Sequence, residues 1–243
     1  MADPTFSDLS EACSQPGCPI CRLVQRAVEH FVRHMLYENV NDIPLRAQLR
    51  QNLGLCHTHA WLILEPDMGD ALGTAIIYND VFINILRHLP EPIDTSPKML
   101  QPTFLQRFLR TLTERVKAAR QALTPQGVCP ACKQQDIYAH LSLAVLIKAL
   151  QDESKADVLA KSDGLCLSHL DQAFSMAHDI PVYNALVNVS RTRYETLQGE
   201  LAEFIRKNDY RFRGESFGSE GDSWRRAIGV SVGGRWVFPK REE

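Results

Sequence analysis

The sequence predicts an all-α fold that is internally duplicated and carries two metal sites of the Cys3His type at helix N-termini. Three observations support this prediction. A C-P-x-C motif followed by a G-L-C-x-x-H motif occurs twice, the stretches between the motifs have the apolar periodicity of helices, and strand patterns are scarce. In the C-terminal stretch VSVGGRWVF, a short hairpin is one alternative and a helix that stops at Gly233 is the other.

Length and composition are those of an ordinary soluble globular protein. The 243 residues are enough for one large or two small domains with a buried core. The composition is 44% hydrophobic and 23% charged. The 27 basic and 29 acidic residues give a formal net charge of −2, which argues against a general electrostatic affinity for nucleic acid but not against a local basic patch.

The sequence carries no signal for export or membrane insertion. No run reaches the roughly 18 apolar residues needed to span a bilayer, and the stretch MADPTFSDLSEACSQPGCP lacks the basic and apolar regions of a secretory signal. We therefore expect a cytoplasmic protein without membrane association, in which cysteines stay reduced. The seven cysteines then need another explanation.

Six of the seven cysteines, with two histidines, form a repeated pattern. C-P-x-C occurs in GCPIC and VCPAC, and G-L-C-x-x-H follows in NLGLCHTHAW and SDGLCLSHLD. The first copy has 35 positions from Cys21 to Cys56, and the second has 34 from Cys132 to Cys166. Apolar residues between the motifs match at the same offsets, which indicates an internal duplication with a period of about 110 residues.

The repeated spacing is that of metal ligands. Two donors separated by two residues can bind one ion from a single turn, and a second such pair completes a tetrahedron. Each repeat therefore supplies one Cys3His set, and four protein ligands are typical of structural rather than catalytic zinc. The predicted ligands are Cys18, Cys21, Cys56 and His59 in the first repeat and Cys129, Cys132, Cys166 and His169 in the second.

Zinc is the predicted metal, with two ions per chain. An iron–sulfur cluster is the main alternative, because thiolates also hold such clusters, and the histidine in each set favours zinc. Disulfides would suit an exported protein, and buried core cysteines would explain neither the spacing nor the repetition. Cys13, the seventh cysteine, is interpreted as an apolar helix-end residue, and Trp61 is expected to pack around the first ligand set.

The stretches between the ligands are predicted to be helical. Apolar residues after Cys21 recur on one helical face as far as Leu36, and the stretch after Cys132 is apolar on more sides. Asp42 is a predicted N-cap for a helix that stops at Gly54, and DESKADVLAKSDG is its predicted counterpart in the second repeat. Each G-L-C motif opens another helix, so each metal is expected to join two helix N-termini, where the helix dipole favours thiolate. Further helices are predicted at 70–89, 104–123 and 183–207.

Four segments are predicted along the chain: a repeat over 1–89, a proline-rich linker over 90–103, a repeat over 104–207 and a tail over 208–243. The tail alternates arginine with aromatic residues, a mixture that could stack on bases and pair with phosphates. Its interspersed acidic residues favour the other interpretation, in which the tail packs across the helices and its arginines form ion pairs.

The predicted function is non-catalytic. The signatures G-x-G-x-x-G, G-x-x-x-x-G-K-[ST], G-x-S-x-G and H-E-x-x-H are absent, and four protein ligands leave a metal no open position for catalysis. We expect a zinc-binding scaffold or adaptor that binds an unidentified protein or nucleic-acid partner, with the tail as a candidate contact. The alternative is a thiol- or metal-responsive redox sensor, and a weaker third is an enzyme with a pocket between the repeats.

The paired motifs and the tail sequence FIRKNDYRFRGE…DSW resemble a bacterial family catalogued only as a domain of unknown function. The resemblance runs from GCPIC to DSWRRAI and so covers nearly the whole chain. It implies a single fold unit and brings no activity with it.

Overall fold

The computed structural model describes residues 3–92, 102–212 and 214–234. Within these ranges the chain forms α-helices, short 3₁₀ turns and no strand, which confirms the predicted all-α fold. None of the described helices is both long and apolar enough to cross a bilayer. The helices are α1 Phe6–Cys13, α2 Pro19–Tyr37, α3 Ile43–Gln51, α4 His57–Leu62, α5 Ala71–His88, α6 Pro102–Ala122, α7 Pro130–Leu150, α8 Leu167–Met176, α9 Ile180–Lys207 and α10 Ser223–Val232.

The chain divides into two compact units. Unit 1 comprises Met1–Phe31 and Gln134–Glu243, and unit 2 comprises Val32–Lys133. The divisions fall inside α2 and inside α7. These units do not coincide with the predicted repeats, because each unit takes residues from both of them.

Aspartate caps set the starts of several helices. Asp42 accepts a hydrogen bond of 2.7 Å from the Leu45 amide at the start of α3, as predicted. Asp179 accepts one of 2.8 Å from the Val182 amide at the start of α9. Both helices also carry a proline in their first turn, where its missing N–H costs nothing. The helices predicted at 70–89, 104–123 and 183–207 correspond to α5, α6 and α9.

The long helices α2 and α7 start immediately after the two C-P-x-C cysteines Cys18 and Cys129. In α2 the apolar positions at helical spacing are buried, as the periodicity predicts. The buried residues of this face are Val24, Val28, Val32, Met35 and Leu36. In α7 the buried residues include Tyr138, Ala139, Leu143, Leu146 and Leu150.

The helix predicted before Gly164 does not form. The segment runs through turns into a 3₁₀ helix at Leu159–Lys161. Near its start, the backbone amide and the hydroxyl of Ser154 both donate to Asp152 Oδ1. Such local side-chain bonds offer the backbone an alternative to helical pairing, which explains why the pattern misleads.

The described part of the tail is helical and packs within unit 1. The helix α10 lies against α8 and α9. It includes Val230 and Val232 and ends at Gly233, whose φ of +85° lies in the left-handed region that favours glycine. The helix alternative is therefore confirmed and a hairpin strand over 230–232 is wrong. The rest of the stretch that was predicted as a possible hairpin, residues 235–238, and most of the predicted linker lie outside the described residues.

Candidate metal centres

The structure brings the eight predicted ligands together in two clusters, but with exchanged partners. The donor atoms of each cluster all lie within 4.8 Å of one another. The first centre contains Cys18, Cys21, Cys166 and His169, and the second contains Cys56, His59, Cys129 and Cys132. Each C-P-x-C pair thus meets the G-L-C-x-x-H pair of the other predicted repeat. The expectation that each repeat supplies a complete ligand set is wrong, and each centre instead lies within one compact unit.

The ligands are positioned by helix starts, as predicted. Cys18 and Cys129 directly precede the prolines that begin α2 and α7, and Cys56 and Cys166 are the N-caps of α4 and α8. The side chains of Cys56 and Cys166 make no capping hydrogen bond, so their sulfurs are available to the centres. The C-x-x-C and C-x-x-H spacings then place the second donor of each pair one helical turn later.

A glycine in the left-handed region precedes each Leu-Cys pair. Gly54 has a φ of +101° and Gly164 a φ of +85°. Other residues adopt this conformation at a cost, which accounts for glycine at both positions. The leucines that follow, Leu55 and Leu165, are buried. The turn therefore anchors an apolar side chain and immediately presents a cysteine at a helix N-terminus.

In the first centre, the imidazole of His169 faces all three sulfurs. Its Nδ1 lies 3.6 Å from Cys18 Sγ, 3.4 Å from Cys21 Sγ and 3.3 Å from Cys166 Sγ. The sulfurs of Cys21 and Cys166 are 3.6 Å apart. His169 and Cys166 are both 0% exposed.

The second centre has the same arrangement. Nδ1 of His59 lies 3.2 Å from Cys56 Sγ, 3.4 Å from Cys132 Sγ and 3.9 Å from Cys129 Sγ, and the sulfurs of Cys56 and Cys132 are 3.6 Å apart. A tetrahedral Zn²⁺ with its usual bond lengths requires edges of about 3.8 Å between sulfurs and about 3.6 Å between sulfur and nitrogen. Both donor sets therefore have the dimensions of a shell around a single ion.

The three thiols of the first centre differ in the direction of their pKa shifts. Burial disfavours the Cys18 thiolate, but hydrogen bonds from Cys166 and Cys21 outweigh burial and hold the pKa of Cys18 well below its ordinary value. Hydrogen bonds with Cys166 and Cys18 raise the pKa of Cys21 far above its ordinary value, and the hydrogen bond with Cys18 raises the pKa of Cys166 to about 12. The protein alone thus favours one thiolate here. A cation among the donors would deprotonate all three thiols.

In the second centre, too, the pKa of one cysteine is lowered and that of another is raised. Hydrogen bonds from Cys132 and Cys56 hold the pKa of Cys129 far below its ordinary value, and the pKa of Cys132 is raised in return. Burial disfavours the charged imidazole of His59, but hydrogen bonds with Cys129 and Cys56 outweigh it and raise its pKa to about 9. Three thiols and an imidazole in this arrangement fit a cation that binds thiolate and neutral imidazole.

A tyrosine supports the G-L-C turn of each centre, and the sequence did not reveal either one. The hydroxyl of Tyr194 in α9 donates to the Leu165 carbonyl at 3.0 Å. Tyr78 in α5 lies over Gly54, so that a Cβ there would be 3.0 Å from its ring, and it interacts with the backbone of Leu55. Burial raises the pKa of both tyrosines. The only sequence signal is a tyrosine in the helix after each C-x-x-H helix, and its spacing differs between the two.

In each centre, a hydrogen bond joins the residue just before the C-P-x-C motif to a residue near the G-L-C motif. The Gly17 amide donates to Asp163 Oδ2 at 2.8 Å in unit 1. The Asn52 side-chain amide donates to the Val128 carbonyl at 2.9 Å in unit 2. Both bonds join the residue before a C-P-x-C to a residue just ahead of the G-L-C that shares its centre. The two centres are thus held in similar ways by different chemical groups.

Of the predictions made for Cys13 and Trp61, the structure agrees with the first and contradicts the second. Cys13 belongs to neither centre and is buried, and burial raises the pKa of its thiol to about 11. That agrees with its interpretation as an apolar residue. Trp61 is 55% exposed and meets the ring of His57 edge-on with centroids 6.3 Å apart. The expectation that Trp61 packs around the metal ligands is wrong.

The chain belongs to the family described as Family of unknown function (DUF6062), which it matches over residues 8–236. It is also 25% identical over 205 residues to an uncharacterized 23.9 kDa protein in the xynA 3' region of Caldicellulosiruptor sp. (strain Rt8B.4). That similarity covers 83% of this chain and 87% of the relative. No solved structure matches the chain. The predicted resemblance to a family of unknown function is confirmed.

Proposed function

We propose that this member of the family is a zinc-binding helical scaffold in which each of the two centres holds one Zn²⁺. The observation that carries the proposal is the pair of compact Cys3His clusters, each at the N-termini of two helices. Thiolate and imidazole are preferred zinc donors, and the helix N-termini favour the anionic sulfurs. The similar construction of the two clusters also supports the proposed internal duplication.

Zinc is favoured over an iron–sulfur cluster by the closeness of the donors. A cluster inserts its own irons and sulfides between its cysteines, so its ligand atoms lie further apart than those around one ion. Here the sulfurs of Cys21 and Cys166, and those of Cys56 and Cys132, are 3.6 Å apart. A single ion fits that space. The seven cysteines form no disulfide, which supports a reducing compartment such as the cytoplasm.

A structural role is favoured because four protein donors saturate a tetrahedral ion. The ligands of each centre are also far apart in sequence. Cys21 and Cys166 are separated by 145 positions, and His59 and Cys129 by 70. One ion therefore fixes two distant segments at once, and its binding free energy becomes folding free energy. In this proposal the metals hold the helices in place and carry out no chemistry on a substrate.

As an adaptor, the scaffold would bind a protein in preference to a nucleic acid. In the tail region, Arg206 pairs with Glu203 and Glu215, and Arg226 pairs with Glu200 and Asp222. Guanidinium groups engaged in this way are less available to phosphates. These pairs support the packing interpretation of the tail over its use as a nucleic-acid contact.

The candidate protein-binding face is an apolar stripe on α5. Leu72, Phe82, Ile83 and Leu86 are all exposed and lie on one side of this helix at helical spacing. Exposed apolar patches of this kind mark protein contacts. We expect Phe82→Glu to abolish cross-linking to the partner in the native host while both metals remain. Ile205→Glu, at an exposed position on α9, is the matched control and should leave cross-linking unchanged.

A redox sensor is the second candidate, because Cys18, Cys56 and Cys132 are partly exposed. Exposed thiolates can be oxidised and so release their metal. The remaining cysteine ligands, Cys21, Cys129 and Cys166, are buried, which favours the scaffold. A sensor would release zinc when about one equivalent of peroxide is added, whereas a scaffold would retain it.

Metal analysis tests the proposal directly. Protein purified under reducing conditions should contain about two zinc ions per chain. Cys13→Ser should keep both ions, since Cys13 lies outside both clusters. Iron with acid-labile sulfide, or protein that is folded without metal, would show that the proposal is wrong.

A further inference from the structure

A cavity of about 250 Å³ opens beside the first centre, entirely within unit 1. Cys18, Cys21 and Cys166 contribute to its wall, and Leu165, Leu197 and Val230 give it apolar surface. Its volume is slightly below the roughly 300–1,000 Å³ typical of sites for drug-sized ligands, a size that suits a small molecule.

Two arginines at this cavity lack an acidic partner in the described part of the chain. The guanidinium of Arg22 donates to the Pro16 carbonyl, and its Nε is buried without an acceptor among the described residues. Arg193 donates to the Ala160 carbonyl at 2.8 Å. Neither side chain forms an ion pair with a described residue. A guanidinium without a carboxylate partner in the protein can pair with the carboxylate of a ligand.

The third arginine of the cavity is already engaged. Arg226 donates to Glu200 at 2.6 Å, to Asp222 at 2.7 Å and to the Ser219 carbonyl at 2.7 Å. These bonds fix its guanidinium on protein acceptors. Among the described residues that line the cavity, the positive charge available to a ligand therefore comes from Arg22 and Arg193.

The charge of the wall limits the charge of the ligand. The carboxylate of Asp163 lines the cavity, where it accepts the Gly17 amide, and the sulfurs of the first centre lie on the same wall. These groups repel a dianion such as phosphate. A carboxylate carries one negative charge and matches the planar fork of a guanidinium.

We propose that this cavity binds a small organic acid, whose carboxylate pairs with Arg22 and Arg193 and whose apolar body contacts Leu165, Leu197 and Val230. The site goes beyond the zinc scaffold. It requires a folded first centre but does not depend on which metal that centre holds.

Binding is tested on the full, metal-loaded chain by titration with benzoate and hexanoate, followed by amide chemical shifts in NMR. Both acids should bind with saturable shifts that centre on the cavity residues. Benzyl alcohol lacks the charge and inorganic phosphate lacks the apolar body. Each should bind at least about tenfold more weakly than benzoate.

Variants locate the site. Arg22→Gln and Arg193→Gln should each raise the dissociation constant for benzoate about tenfold or more. Arg191→Gln is the matched control, because Arg191 lies on the same helix and pairs with Glu195. Gly229→Leu is the blocking variant. A Cβ at this cavity-lining glycine meets no atom within 4 Å, so the side chain is tolerated and should abolish binding by filling the space.

Metal content is measured on every sample, which separates this proposal from the proposed function. Metal-loaded protein that binds neither acid at tens of millimolar would overturn the acid site and leave the scaffold intact. Phosphate binding as tight as benzoate binding, or benzoate binding unchanged in all three cavity variants, would also overturn it. Folded protein without metal would contradict the scaffold, whichever way the titration turns out.

Discussion

The two metal centres have the same donors and nearly the same dimensions, yet their surroundings differ. In the first centre the Gly234 amide donates to Cys21 Sγ at 3.2 Å, and a cavity opens beside the sulfurs. In the second centre two cysteines, Cys56 and Cys132, are partly exposed, against Cys18 alone in the first, and the ring of Tyr78 lies over Gly54. The short motifs therefore determine the geometry of a centre. Segments further along the chain determine what can reach it.

The largest expected difference between the centres comes from the tail. Truncation after Lys207 removes α10, the Gly234 amide that contacts Cys21, and Glu220, which pairs with Lys207 at 2.6 Å. We expect unit 1 to lose its packing and the first centre to lose its ion, while the second centre keeps its own. Metal content should fall from about two ions to about one, with a loss of helical circular dichroism.

A chain that ends after Gly234 is the matched control for this truncation. It retains α10 and the contact with Cys21, and it should keep both ions. If the chain that ends at Lys207 kept two ions and its full helical signal, the tail would have no part in the first centre.

A smaller effect is expected from the tyrosines that support the two turns. Tyr194→Phe removes the hydrogen bond to the Leu165 carbonyl and should cost about 1 kcal/mol. For a chain of this size that lowers the melting temperature by about 2–4 °C. Tyr78→Phe should have a similar effect in unit 2, and Tyr210→Phe, at a position that is 75% exposed, should have none. Unequal losses for Tyr78 and Tyr194 would show that the two turns are supported to different degrees.

The features that the sequence predicts well are local ones. The ligand spacings, the Asp42 cap and the end of its helix before Gly54 each depend on a few neighbouring residues. Their physical causes act within one or two helical turns, so a short stretch of sequence contains the necessary information. The same applies to the buried face of α2, which follows from helical periodicity.

The sequence could not show which G-L-C-x-x-H motif pairs with which C-P-x-C motif, because both C-P-x-C motifs have the same local pattern. The pairing depends on where the long helices carry the chain. The 16 positions from Cys21 to the end of α2 span about 24 Å, and they carry the chain out of unit 1 into unit 2. Within unit 2, Cys56 at the start of α4 lies beside the C-P-x-C motif that begins α7. Such a distinction depends on tertiary geometry that spacing along the chain does not encode.

The exposure of Trp61 and the role of the two supporting tyrosines also depend on tertiary packing that the sequence did not show. Trp61 is apolar and adjacent to the ligands in sequence, but helix direction places it on the surface. The supporting Tyr78 and Tyr194 come from helices that follow at different distances in the chain. Each depends on which elements pack together.

Zinc stoichiometry in two double variants tests the exchanged pairing most directly. Cys18→Ser with Cys166→Ser removes two ligands from the first centre and none from the second. Cys18→Ser with Cys56→Ser removes one ligand from each. Because a centre that lacks a thiolate binds zinc much more weakly, the first variant should retain about one ion per chain and the second almost none. Pairing within each predicted repeat requires the reverse, with almost none in the first variant and about one ion in the second, and that result would contradict the exchanged centres.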